Sequence, residues 1–245
     1  MFHNYIRVAL RNLTKHKLYS AINIIGLAIG LASCVLITLF VRDELSYDTF
    51  WKDADSVYRL NTTFEVPGRE PFVTVMAMGP ARAALQRYFP EEVAYTVRFN
   101  GESPVIEYDG KAFTEEVHWV DAEMLDIFSL ETVSGDLRAS LRDNATLAID
   151  ETFAQKHFGE ENPIGKVMTM TFYSVTRDYR IGAVFKDLPH NTVLDFQAFV
   201  LIDEKDFEDN PWQFAQWFST NSNLYFKLKD GASIDTINAR LSDFA

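Results

Sequence analysis

The sequence predicts an α+β protein: one N-terminal transmembrane helix followed by a mixed α/β extracytoplasmic domain. Three observations carry this. Residues 18–41 hold 24 consecutive residues without a charge. A helix rising about 1.5 Å per residue spans roughly 36 Å over that length, enough to cross a hydrocarbon core of about 30 Å. Charge divides across the run: Arg7, Arg11, Lys15 and Lys17 precede it without one acidic residue, and all 35 Asp and Glu follow it. That bias places the N-terminus in the cytoplasm and the rest outside. Beyond it, short strand-like runs, turn residues and short helical patterns alternate over about 200 residues, the size of one domain or two intimate subdomains.

In chain order, residues 1–17 come first. Phe2, Tyr5, Ile6, Ala9, Leu10 and Leu13 recur at helical spacing, and His3, Arg7, Arg11 and Lys15 recur every four residues on the other face. This predicts an interfacial helix on the inner leaflet, with Arg7, Arg11 and Lys15 among the headgroups. The plainer alternative is a positively charged flank. Within the span (residues 18–41), Gly26 and Gly30 form a GxxxG, Cys34 extends the same i+4 row, Ala28 and Ala32 form a second small pair, and Asn23 lies near the row. Small residues let another helix approach closely, so partner helices are expected here, although GxxxG alone is a weak signal. The run is too long for a cleaved secretory signal and is followed by FVRDEL. Leu31-Ala-Ser-Cys34 has the form of a lipobox, but seven mostly apolar residues follow it, which favours an intact span. Cys34 is the only cysteine, so no intramolecular disulfide forms.

The outer domain covers residues 42–245. A short helix is expected at 47–54, a strand at 57–65 and a turn at Pro67-Gly68. A helix follows at 80–89, with Pro80 suited to its first turn and Pro90 stopping it. A strand is expected at 92–99. Strands at 105–108 and 112–120 form a hairpin across Asp109-Gly110. Next come a helix at 122–128, a loop through Ser134-Gly135-Asp136, a strand at 146–149 and a helix at 151–158. Strands at 166–173, 179–186 and 193–202 precede an acidic loop carrying Trp212, Phe214, Trp217 and Phe218. A strand at 223–228, a turn at 229–231 and a helix at 233–244 capped by Ser233 complete the pattern.

Charge and motifs narrow the function. Residues 42–245 carry 19 basic against 35 acidic side chains, which repels nucleic acid and anionic lipid. Gly159 to Lys166 glances at a phosphate loop, but five residues separate the glycines where four are needed, and Val167 stands where a hydroxyl must hold Mg²⁺. The five histidines show no zinc spacing, and no nucleophile elbow exists. Adjacent acids such as Glu115-Glu116 read as solvated loop, and the aromatic cluster at 212–218 reads as core or a subdomain seam, with a partner-binding patch as the alternative. The reading is therefore a non-enzyme with no cofactor and no metal.

Five segments together resemble a known family. ALRNLTKHKLYSAINIIGLAIGLASCVLITLFVRDELSYDTF (9–50), DADSVYRL (53–60), MLDIFSLETVSGD (124–136), ETFAQKHFGEENPIGK (151–166) and YRIGAVFKDLPHNTVLDF (179–196) are similar to ABC-transporter permeases of the FtsX/MacB type. The resemblance covers nearly the whole chain in order. It implies a MacB-like periplasmic core domain with a porter-like part (about 46–100 and 215–245) and an inserted subdomain (about 101–214). It implies a bacterial inner-membrane protein that transmits the motion of a separate cytoplasmic ABC ATPase subunit to the periplasm, for export or extraction of substrate. The partners it implies are that ATPase, other permease helices or a second permease copy, and a periplasmic adaptor or substrate. Such permeases have at least four membrane helices, so the chain is expected to be the N-terminal piece of a longer one. The competing expectation is a membrane-tethered sensor or ligand-binding module; the short inner segment of about 17 residues is too small for a signalling domain.

Overall fold

The computed structural model describes residues 2–241, which fall into two compact units divided between Thr49 and Phe50. The first unit holds α1 (Phe2–Lys15) and α2 (Lys17–Glu44), separated only by His16. α2 has 28 residues, extends beyond the uncharged run at both ends, and is exposed along nearly its whole length. Two of its hydroxyls are satisfied locally, Ser33 donating to the Ile29 carbonyl at 2.9 Å and Thr38 to that of Cys34 at 2.7 Å. Such back-bonding lets Ser and Thr sit in an apolar helix without an orphaned donor.

The second unit is sheet-rich. Its elements are β1 (Val57–Leu60), β2 (Thr62–Phe64), β3 (Phe72–Thr74), β4 (Ala77–Met78), α3 (Ala81–Tyr88), β5 (Val93–Glu102), β6 (Val105–Tyr108), β7 (Lys111–Thr114), β8 (Val117–Val120), α4 (Met124–Ile127), β9 (Thr132–Gly135), α5 (Leu137–Ser140), β10 (Thr146–Asp150), α6 (Glu151–Phe158), β11 (Val167–Phe172), β12 (Val175–Phe185), β13 (Ala198–Leu201), β14 (Thr220–Leu228) and α7 (Ile234–Asn238). One large sheet runs β1-β14-β5-β8-β13-β10-β12-β11-β6-β7, with β4 pairing β14 and β9 pairing β12; β2 and β3 form a separate ribbon. β10 is buried at all five positions because β12 and β13 cover both its edges and side chains pack on both its faces. β11 alternates instead, with Met168, Met170 and Phe172 turned inward. The largest apolar cluster gathers Trp119, Tyr179, Phe153 and those two methionines; Val97, Phe99, Phe128 and Phe199 form a second, and Leu85, Phe89, Leu224 and Phe226 a third.

Several expectations need correction. Residues 47–54 form turns and the start of a 3-10 segment (Ala54–Ser56), because Asp48 and Asp53 take left-handed backbone that a helix cannot include. The strand expected at 57–65 breaks at Asn61, β1 joining the large sheet and β2 the ribbon. The hairpin at Asp109-Gly110 forms, but its second strand stops at Glu115, and β8 leaves to lie between β5 and β13. The loop expected at 134–136 is instead the end of β9 plus the N-cap of α5: Asp136 accepts a bond from the Ala139 amide at 2.9 Å. Gly135, at φ +77°, brings β9 so close to Gly182 that a Cβ would lie 2.1 Å from the Gly182 carbonyl oxygen. Only residues 198–201 of the strand expected at 193–202 are extended in the sheet. α7 begins at the Ser233 cap as expected and is shorter than 233–244; residues 242–244 lie outside the described residues.

Candidate functional site

On α2, Asn23, Gly26, Gly30 and Cys34 fall within an arc of about 80° at 100° per residue, with Ala28 and Ala32 on the opposite side. No atom lies within 4 Å of where a Cβ would stand on Gly26 or Gly30, and Cys34 is free and exposed. The predicted packing row is thus an open surface. On α1, Arg7, Arg11 and Lys15 share one exposed face, and Tyr5, Ile6 and Leu13 sit exposed on the other. The side chains of Phe2, His3, Ala9 and Leu10, which complete the expected pattern, lie outside the described residues.

The outer unit contains a charge cluster that sequence reasoning missed. Arg98, on β5, is almost fully buried. Its amide and Nε donate to Asp121 Oδ2 at 2.8 and 3.0 Å, and its Nη2 donates to Asp121 Oδ1 at 2.8 Å. Nη2 also meets Glu204 Oε1 at 2.9 Å, and the guanidinium lies 4.7 Å from the Phe214 ring centroid. Arg82, on α3, reaches Asp121 at 3.2 Å and Glu123 at 2.7 Å. Burial alone lowers the Arg98 pKa; the hydrogen bonds and charge of Asp121 outweigh it and hold the group above its ordinary value. Beside the cluster, Gln213 accepts from Asn100 at 3.1 Å and donates to Glu102 at 2.8 Å, and it also bonds the Tyr173 hydroxyl. Burial and Glu102 push that hydroxyl up to about 12. Each of these side-chain contacts joins a residue before 101 to one between 101 and 214, or links Gln213 to Glu102 on β5 or to Tyr173. The sheet itself is unbroken there: β5 pairs β14 through Phe99 and β8 from Phe99 onward.

The aromatic loop departs from expectation. Phe214 is buried, but Trp212, Trp217 and Phe218 are 53%, 52% and 62% exposed, with Trp212 and Phe218 edge to face at 4.8 Å. Trp217 borders a groove of about 790 Å³ lined also by Leu60, Thr62, Glu65, Met78 and Ala81. Glu115 is not a solvated loop acid either. It bonds Lys156 at 2.6 Å and His157 at 3.0 Å, and these contacts outweigh burial to lower its pKa. His157 stacks on Phe113 at 4.2 Å. The Gly165 amide donates to the Ile181 carbonyl at 2.8 Å, so it is spent on the fold rather than on a phosphate. Among the described residues, no group of three or more His, Cys, Asp or Glu is placed to hold a metal.

His118 carries a testable pH signature. Burial lowers its pKa from 6.5 to about 4, against the opposing charge of Asp195. The unfolded chain therefore binds a proton between about pH 6.5 and 4 that the folded chain refuses, and stability falls as pH falls through that window. We expect the stability difference between wild type and His118→Phe to grow by up to about 3 kcal/mol from pH 4 to 6.5 and then level off, as measured by urea unfolding at each pH. A flat difference would show that His118 is freely protonated in the folded state.

A family model described as MacB-like periplasmic core domain matches residues 20–244. Among solved structures, a domain ascribed to a permease protein of Porphyromonas gingivalis is 23% identical, with a TM-score of 0.61 over 78% of this chain and 80% of that one. The periplasmic region of MacB from Actinobacillus actinomycetemcomitans is 15% identical, with a TM-score of 0.52 over 77% of this chain and 81% of that one. No curated protein sequence matches.

Proposed function

Because this chain belongs to the family of MacB-like periplasmic core domains, we propose that it is a non-catalytic permease subunit of an ABC-type transporter. It is a membrane-anchored protein with an extracytoplasmic domain, and the observation that carries the reading is the joining of that domain to one long apolar helix with a cationic flank. In this reading the chain sits in the bacterial inner membrane, with α1 on the cytoplasmic leaflet. ATP is hydrolysed on a separate cytoplasmic subunit, and α2 passes the resulting motion to the outer domain for export or extraction of a substrate. The row Asn23, Gly26, Gly30 and Cys34 packs against other permease helices or a second copy. The porter-like part and inserted subdomain (about 46–100 with 215–245, and 101–214) move as parts of the outer domain, which meets a periplasmic adaptor or the substrate.

The test is assembly. Gly26→Leu with Gly30→Leu should reduce co-purification with the ATPase and other permease helices about five- to thirtyfold, while the outer unit melts as in wild type; loss of a helix contact worth about 1–2 kcal/mol has that effect. Unchanged assembly removes the packing role. Absence of any ATPase from the wild-type complex removes the transporter reading. The second reading, a tethered ligand-binding module, is favoured by the groove at Trp217. It predicts tight binding of a small molecule there without any ATPase partner.

A further inference from the structure

We propose that α1 is a sensor for anionic phospholipid, so that the charge of the membrane surface sets how firmly this helix is seated. The proposal rests on the reading that α1 lies on the inner leaflet. Arg7, Arg11 and Lys15 lie within about 80° of arc on one face. None of the three has an ion-pair partner among the described residues, and the chain offers no carboxylate before Asp43. The opposite face exposes Tyr5, Ile6 and Leu13. Unpaired cations beside an unpartnered apolar stripe match an anionic headgroup layer over acyl chains, which neutralises one face and buries the other. Continuity supports the same occupant, since α2 follows after one residue and carries no charge from residue 18 to residue 41. The outer unit's acidic excess lies entirely beyond α2, so the lipid-binding charge is confined to this end of the chain.

Each cation close to an anionic surface is worth about a fivefold change in partitioning. The experiment is amide hydrogen exchange on the full chain in nanodiscs of pure phosphatidylcholine and of phosphatidylcholine with phosphatidylglycerol. Amides of α1 should exchange about tenfold more slowly, or slower still, in the anionic discs, and this protection should be lost in Arg7→Glu/Arg11→Glu/Lys15→Glu and weakened in the milder triple Gln variant. Equal exchange in the two lipids, or protection unaffected by charge reversal, overturns the proposal. So does protection that appears only when the cytoplasmic ATPase is added, which would make a protein the occupant. α2 amides report separately: their protection in both discs shows that the span is inserted, and its loss would defeat the membrane reading rather than the lipid preference.

Discussion

Arg98→Met should destabilise the outer unit by about 3–5 kcal/mol, among the largest effects available to a single change in this chain. The cost arises from what remains rather than from what is removed. Asp121 is held by three bonds from Arg98 and one contact from Arg82. The Met side chain fills much of the space beneath Phe214 but donates nothing, leaving a buried carboxylate with the backbone amide and Arg82 alone. Glu204 loses its partner too, but its side chain is 61% exposed and water replaces the contact, so Glu204→Gln should cost under about 1 kcal/mol. Urea unfolding of the full chain distinguishes these outcomes. Arg98→Met combined with Asp121→Leu should cost less than the sum of the single changes, because the orphaned charge is gone. A loss below about 1 kcal/mol for Arg98→Met would show that the pair behaves as a solvated surface contact.

This cluster also shows where sequence reasoning stops. What could be read was local. α1 and α2 follow from an uninterrupted period and an uncharged run; α6 occupies the expected 151–158, where the structure adds the Asp150 cap; the β6–β7 hairpin follows from Asp109-Gly110. The unread parts are non-local. β10 lies between β12 and β13, neither of them adjacent to it in the chain, so sequence order does not give its neighbours. Arg98 and Asp121 are 23 residues apart, each in an ordinary strand context, and nothing in either segment announces the other. Composition alone predicts core or a seam for Trp212, Phe214, Trp217 and Phe218, yet of the four only Phe214 is buried, with the Arg98 guanidinium 4.7 Å from its ring centroid. The small-residue row on α2 and the cationic face of α1 were legible as patterns, because both are local to one helix.

Gly79→Ala should cost about 1–3 kcal/mol or more, for a reason opposite to a cavity. A Cβ on Gly79 would stand 2.3 Å from the Phe214 Cα, 2.6 Å from its carbonyl oxygen and 2.7 Å from that of Gln213. All three are backbone atoms, so no side-chain rotation relieves the overlap, and the chain at 213–214 must move. That movement draws Phe214 off the Arg98 guanidinium and pulls Gln213 from Asn100 and Glu102, so one added methyl disturbs both the ionic and the amide contacts of the seam. Gly26→Ala is the matched control: its Cβ meets nothing within 4 Å, and the outer unit should unfold as wild type does. The two variants are compared by urea unfolding and by tryptophan emission, since Trp212 and Trp217 flank the displaced residues. A change in emission together with lost stability for Gly79→Ala alone is the expected result. If Gly79→Ala unfolds with wild type, the 213–214 backbone yields without cost, and the close approach of Gly79 to Phe214 contributes nothing to stability.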